Sequence, residues 1–162
     1  MDVNEKIVTE WLYLCKNQFT IANIPFKVFG PKGGSNYSNI DILATDKKGN
    51  FYDYEIKWRA RSGIMSTDIQ TFIKQMIRKE RILKIKEIIG NVPYIKTFIT
   101  TKLLFGRKEK EIVSKFNVSG IDVIFFEDII QELVHRIDIL GRYDSQVLQI
   151  IRMLKQLKIK LN

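Results

Sequence analysis

Between residues 39 and 58 the chain reads NIDILATDKKGNFYDYEIKW, and its apolar residues return at every second position. Ile40, Ile42 and Ala44 alternate with Asn39, Asp41 and Leu43, and Tyr52, Tyr54, Ile56 and Trp58 alternate with Phe51, Asp53, Glu55, Lys57 and Arg59. A period of two marks strands whose faces meet different surroundings. The turn formers Asp46-Lys47-Lys48-Gly49-Asn50 between the two runs predict a loop at 47–49 closed by a left-handed glycine. Asp46 then faces Asn50, and counting outward sets Asp41 opposite Glu55 with Cβ atoms ~5 Å apart, where like charges repel. Asp41, Glu55 and Lys57 therefore gather at one end of a hairpin whose apolar face is buried.

Other segments carry helical or strand periods. Residues 3 to about 17 read as a helix, and Phe26, Val28 and Phe29 after Pro25 as a short strand. GPKGGSNYS, residues 30–38, is a glycine-rich loop without the GK[ST] ending of a phosphate loop. One helix is predicted from 68 to about 89, capped by Ser66 or Thr67 and ended by Gly90. Ile69, Phe72, Ile73, Met76, Ile77, Ile82, Leu83 and Ile85 supply its apolar side, and Lys74, Arg78, Lys79, Arg81, Lys84 and Lys86 make the remainder basic. Residues 94–105 read as a strand, 107 to about 116 as a helix, and 123–126 as a strand running into a helix. A closing helix carries the stripe Val147, Ile150, Ile151, Leu154, Leu157 and Leu161, which serves the core or, alternatively, a homodimer seam. The pattern predicts an α/β class: a central mixed sheet with an antiparallel hairpin, flanked by helices, in one domain over 1–162.

Charge narrows the partner. With 27 Lys+Arg against 18 Asp+Glu, a formal +9, the chain favours a polyanion, nucleic acid first and an anionic membrane surface second. A single cysteine, Cys15, and a single histidine, His135, exclude a Cys/His zinc centre and a disulfide framework, so any metal is held by oxygen. Cys15 reads as a core thiol and His135 as structural. Acidic Asp2 and Glu5 at the start, and the lack of a long apolar run, lead to the expectation of a soluble intracellular, cytoplasmic protein without a membrane span.

Two readings fit the facing carboxylates. The first is a half-solvated strand ladder in which Lys57 neutralises a neighbour. In the second a divalent cation, Mg²⁺ or Mn²⁺, removes the repulsion, since hard oxygen ligands suit such ions. Either way, repulsion between equals predicts that Asp41→Asn or Glu55→Gln leaves the metal-free fold as stable as before or more so.

The order helix, strand, hairpin with Asp41 and Glu55-Ile56-Lys57, basic helix, strand resembles the PD-(D/E)XK nuclease superfamily over roughly residues 1–105. Its motif is an aspartate on one strand and D/E-x-K on the next; here Ile40 stands before Asp41 where proline is common. Within the superfamily the chain is similar to archaeal Holliday junction resolvases, with its glycine-rich loop before the aspartate, while GIDVIFFEDIIQELV looks more like the end of Mrr-like nucleases. The resemblance implies a restriction-endonuclease-like fold, an α-β-β-β-α-β core over 1–105 with an α-β-α-α extension over 106–162. It implies a metal-dependent DNA endonuclease hydrolysing phosphodiester bonds. Asp41, Glu55 and the Ile56 carbonyl would hold Mg²⁺ or Mn²⁺, joined by a glutamate of the first helix: Glu5 by its spacing to Val8 and Leu12, or Glu10 by its distance from Asp41. Lys57 would orient or deprotonate the attacking water, and Gln70 matches the family's glutamine, Gln75 less well. Lys32, Ser35, Arg59, Arg61, Lys74 and Arg78 are candidates to track the DNA backbone. The alternative is a non-catalytic nucleic-acid-binding protein that keeps the fold.

Overall fold

The computed structural model describes residues 2–30, 34–58 and 66–157, the side chains of Ser66 and Thr67 excepted. Helix α1 (Val3–Lys16) opens with a capping box in which Asp2 accepts from the backbone of Asn4 and Glu5 while Glu5 reaches back to the Asp2 N–H. It ends at Asn17, whose left-handed φ of 54° stops the helix. Strand β1 (Gln18–Phe29) follows directly, much longer than the expected short segment ending at Phe29. Phe19 faces solvent from β1. Pro25 does not shorten the strand because β1 lies at the edge of the sheet, where a missing N–H is tolerated.

The Gly30 N–H donates to the Gly34 carbonyl at 2.7 Å and closes β1 onto β2 (Ser35–Asp46). Much of the expected glycine-rich loop is therefore strand. β2 pairs antiparallel with β3 (Phe51–Lys57) in the register Ile42↔Tyr54, Leu43↔Asp53, Ala44↔Tyr52. Gly49 has a φ of 82°, and Asp46 Oδ1 accepts from the N–H groups of Lys48 and Asn50, which fixes the loop at 47–49 as the turn residues predict.

The long basic helix is in fact two. α2 (Ser66–Met76) and α3 (Lys79–Ile89) are separated at Ile77 and Arg78, the latter extended with ψ 135°. The reason is a slip of phase. Ile69, Phe72, Ile73 and Met76 share a stripe that a straight helix would continue at Glu80, Leu83 and Glu87, whereas the buried residues of α3 are Arg81 and Ile85. The break turns the second stripe inward. Gly90 ends α3 as expected.

β4 (Tyr94–Thr100) runs parallel to β3 and stops at Thr100 rather than 105. Leu104 and Phe105 are buried from a short helix α4 (Lys102–Phe105), whose first N–H is accepted by Glu127. A 3-10 turn, Gly106–Lys108, leads into α5 (Glu109–Val118). β5 (Ile121–Phe125) is parallel to β4 and passes straight into α6 (Phe126–Arg136), and α7 (Gln146–Gln156) follows.

The result is an α/β structure with a five-stranded mixed sheet in the order β1-β2-β3-β4-β5. On one face Ile42, Ala44, Tyr54, Ile56 and Ile99 pack against Val8, Trp11 and Leu12 of α1, Phe126, Ile129 and Leu133 of α6, and Leu148 and Ile151 of α7. Residues after 120 thus share one core with the first helix. On the other face Phe98, Ile121 and Phe125 meet α2, α4 and α5, while Ile24, Phe26, Ile40 and Leu43 enclose Ile85 of α3. β3 is the central strand, so both of its faces are covered. The half-solvated ladder expected for it does not occur, and Asp53 and Glu55 are 0% and 4% exposed. Among the described residues no helix is long and apolar enough to cross a membrane.

Candidate functional site

Past the Ile42↔Tyr54 pair, β2 and β3 no longer bond through their backbones, and a side chain takes over. Asp41 Oδ2 accepts from the Ile56 N–H at 2.7 Å. The N–H and C=O of one strand residue point to the same edge, so the Ile56 carbonyl faces the Asp41 side as well. Lys57, one residue on, has its carbonyl on the other edge, where it accepts from the Thr100 hydroxyl at 2.8 Å. Its ammonium turns back to the carboxylates: Nζ is 2.7 Å from Glu55 Oε1 and 3.7 Å from Asp41 Oδ2. The structure thus brings Asp41, Glu55 and Lys57 together.

It also brings in two residues that the sequence reading left out of the site. Arg81, grouped with the solvated basic face, is 1% exposed. Its Nε and Nη2 donate to the two Asp53 oxygens at 3.0 and 2.6 Å, and its Nη1 donates to Glu55 Oε2 at 2.5 Å. The signal existed in the sequence. Arg81 stands four residues before Ile85, on the apolar stripe of its helix, and Asp53 stands on the charged face of β3 with no assigned partner.

The cluster therefore holds the carboxylates Asp41, Asp53 and Glu55 against the cations Lys57 and Arg81. One negative charge is left over. Burial, and after it the Glu55 carboxylate, push the Asp41 pKa up to about 6, against the pull of Lys57 and the Ile56 N–H. Burial raises Asp53 as well, Arg81 offsetting part of it. Burial also works against charge on Lys57, but Glu55 and Asp41 outweigh it and the ammonium is held above its ordinary pKa.

Asp41 and Glu55 are thus not equals. Glu55 faces two cations, so Glu55→Gln is expected to destabilise the fold, contrary to the expectation from repulsion alone. Asp41 carries the excess charge. Because its folded pKa lies above the ~3.9 of a free aspartate, the stability tied to its proton is full below pH ~4 and is lost as the pH rises through ~6. In chelator, Asp41→Asn should therefore raise the melting temperature at pH 7 by about 5 °C, or ~2 kcal/mol, and the gain should vanish near pH 4. A fall at pH 7 would mean that the ionised bond to Ile56 outweighs the repulsion.

The donor set fits a small divalent cation. Asp41, the Oε1 edge of Glu55 and the Ile56 carbonyl are hard oxygens on one side of β3, and Mg²⁺ commonly takes one or two carboxylates and completes its shell with water and phosphate oxygens. Among the described residues no three His, Cys, Asp or Glu side chains form a metal-binding group. Glu5 stays with its capping box and accepts from Asn23 Nδ2 at 2.9 Å, and Asn23 is the β1 residue opposite Asp41 at an interruption of the ladder. Glu10 lies half-buried on α1. Gln70 is exposed on α2, whereas Gln75 turns inward with an Oε1 that has no hydrogen-bond partner among the described residues. Of the candidate backbone contacts, Ser35 and Lys74 are exposed, Arg78 sits half-buried at the break between α2 and α3, and Lys32, Arg59 and Arg61 lie outside the described residues.

No protein-family model, no curated protein and no solved structure matches this chain.

Proposed function

We propose that this protein is a Mg²⁺- or Mn²⁺-dependent DNA endonuclease that hydrolyses phosphodiester bonds on a restriction-endonuclease-like fold of PD-(D/E)XK type. The observation that carries the reading is the excess negative charge at Asp41, set beside Glu55 and the lysine that follows it on β3. A structural cluster gains nothing from a third carboxylate set against two cations, whereas a cation site requires such an excess. The order of α1, the β1–β2–β3 meander, the basic helices and parallel β4 is in keeping with that fold.

Asp41, Glu55 and the Ile56 carbonyl hold the ion. When bound, it polarises the scissile phosphate and offsets the charge that develops on its oxygens. Lys57 remains protonated near neutrality, so it acts as a fixed cation that orients the attacking water and faces the phosphoryl oxygens. Its position is set from two sides, by Thr100 at its carbonyl and by Glu55 at its ammonium. The basic helices supply sequence-independent contacts to the phosphate backbone.

Supercoiled plasmid incubated with the protein should be nicked or linearised in Mg²⁺ and left intact in chelator; no cleavage in Mg²⁺ or Mn²⁺ overturns the endonuclease reading. Binding supplies a second prediction. If the +9 chain contacts several phosphates, affinity for duplex DNA should fall by ~10³-fold between about 50 and about 200 mM salt. Flat affinity over that range removes the polyanion argument. One observation favours a non-catalytic binding protein instead: both Glu55 oxygens already have partners, Lys57 and Arg81. Salt-dependent DNA binding without metal-dependent cleavage is the outcome that reading predicts.

A further inference from the structure

The two oxygens of Glu55 have different neighbours. Oε1 pairs with Lys57, whose side chain is one-third exposed. Oε2 accepts from Arg81 Nη1 in the interior. Arg81 cannot follow a moving Glu55, because its Nε and Nη2 grip both Asp53 oxygens as a fork. A guanidinium held in that way is a rigid plane, and its remaining nitrogen is a donor at a fixed point. Glu55 is therefore pinned at Oε2, and the oxygen it turns toward Asp41 is Oε1, whose partner is the one-third-exposed Lys57 ammonium rather than the buried fork.

We infer that Arg81, anchored by Asp53, is a positioning residue that fixes Glu55 as a one-oxygen ligand for the divalent cation. The inference rests on the metal-site reading above. Asp53 is 0% exposed, and both of its carboxylate oxygens accept from Arg81. Asp53 and Arg81 together add no net charge, so what the pair gives the site is orientation rather than field. Presentation of a single oxygen suits the compact octahedral shell of Mg²⁺ or Mn²⁺, whereas Ca²⁺ sites often take a carboxylate through both oxygens.

The test is Mn²⁺ binding to the full chain, followed by calorimetry without DNA. Two variants keep the cluster's net charge. Arg81→Lys retains the cation and loses the fork; the double variant Asp53→Leu with Arg81→Met removes the neutral pair and leaves Glu55 without its clamp. At a temperature where melting curves show each protein folded, both are expected to bind Mn²⁺ ~10- to 100-fold more weakly, the usual cost of losing a group that orients a metal ligand. Should Arg81→Lys fail to fold, the double variant carries the test, since replacing a buried ion pair by apolar residues is often neutral for stability. Leu133→Ala, in the core on the opposite face of the sheet, is the control for a merely structural role: it lowers the melting temperature and should leave Mn²⁺ affinity unchanged. Wild-type affinity in either folded variant, or an equal loss in Leu133→Ala, overturns the role of Arg81 and leaves the metal site standing. No Mn²⁺ binding by the wild-type protein overturns the metal site, and the role of Arg81 with it.

Discussion

Lys57→Ala is expected to slow cleavage of bound DNA by ~10²-fold or more while DNA affinity changes little. The ammonium lies 2.7 Å from Glu55 and 3.7 Å from Asp41, inside the carboxylate cluster rather than out on the basic surface. On the proposed function a group in that place would face the reacting phosphate and water, not the flanking backbone. A lysine serving one flanking phosphate would behave otherwise: its loss would weaken binding and lower the salt slope by about one unit, with the rate on bound DNA almost intact. Single-turnover cleavage at saturating enzyme, measured beside binding in Ca²⁺, separates the two. The substitution also removes a positive charge from a cluster that already lacks one, so the metal-free variant should melt lower than wild type and recover on binding an ion. A variant that cuts bound DNA at the normal rate would take Lys57 out of the chemistry.

Arg81→Met is expected to destabilise the metal-free fold by ~3–5 kcal/mol, lowering the melting temperature by about 10 °C. The size follows from what is left behind. Asp53 and Glu55 remain in the interior, and the cation that touches both is gone. Protonation limits the damage: burial already holds the Asp53 pKa high, and without the guanidinium it rises further. The deficit should therefore shrink as the pH falls from 7 towards 5, when the stranded Asp53 takes up a proton. The double variant Asp53→Leu with Arg81→Met should melt much closer to wild type, because it removes the buried charge along with its partner. Chemical denaturation of the single and double variants at two pH values checks both statements. A single variant within ~1 kcal/mol of wild type at pH 7 would show that water reaches the cluster and screens it.

What the sequence makes legible is local. The turn Asp46-Lys47-Lys48-Gly49-Asn50 has one good geometry, and once it is placed the register of β2 on β3 and the meeting of Asp41, Glu55 and Lys57 follow by counting. Longer-range effects decide the remainder. β1 is a strand through Phe19, Ile21 and Pro25 because β2 pairs with it, although its exposed apolar residues break the expected inward pattern. The split of α2 from α3 is written in the slipped stripes of Met76 and Ile85, but an unbroken run of helix formers hides it. Arg81 is the costliest miss. A basic residue on a basic helix reads as solvated until the fold shows that the central strand has set Asp53 and Glu55 against that helix. The same contact explains why Glu55 and Asp41, alike in the sequence, differ in the fold.

With three carboxylates against two cations the cluster is short of positive charge, and on the proposed function a divalent cation makes up the shortfall. Melting the wild-type protein and Asp41→Asn at pH 7, each in chelator and in Mn²⁺ at about 100 times its dissociation constant for wild type, shows whether the ion binds there. Binding to the folded state alone is worth ~2.7 kcal/mol at that concentration, so the wild-type melting temperature should rise by at least 5 °C. Asp41→Asn, without the excess charge, should hardly respond. Wild-type protein that melts at the same temperature in Mn²⁺ and in chelator would rule out a cation site in this cluster.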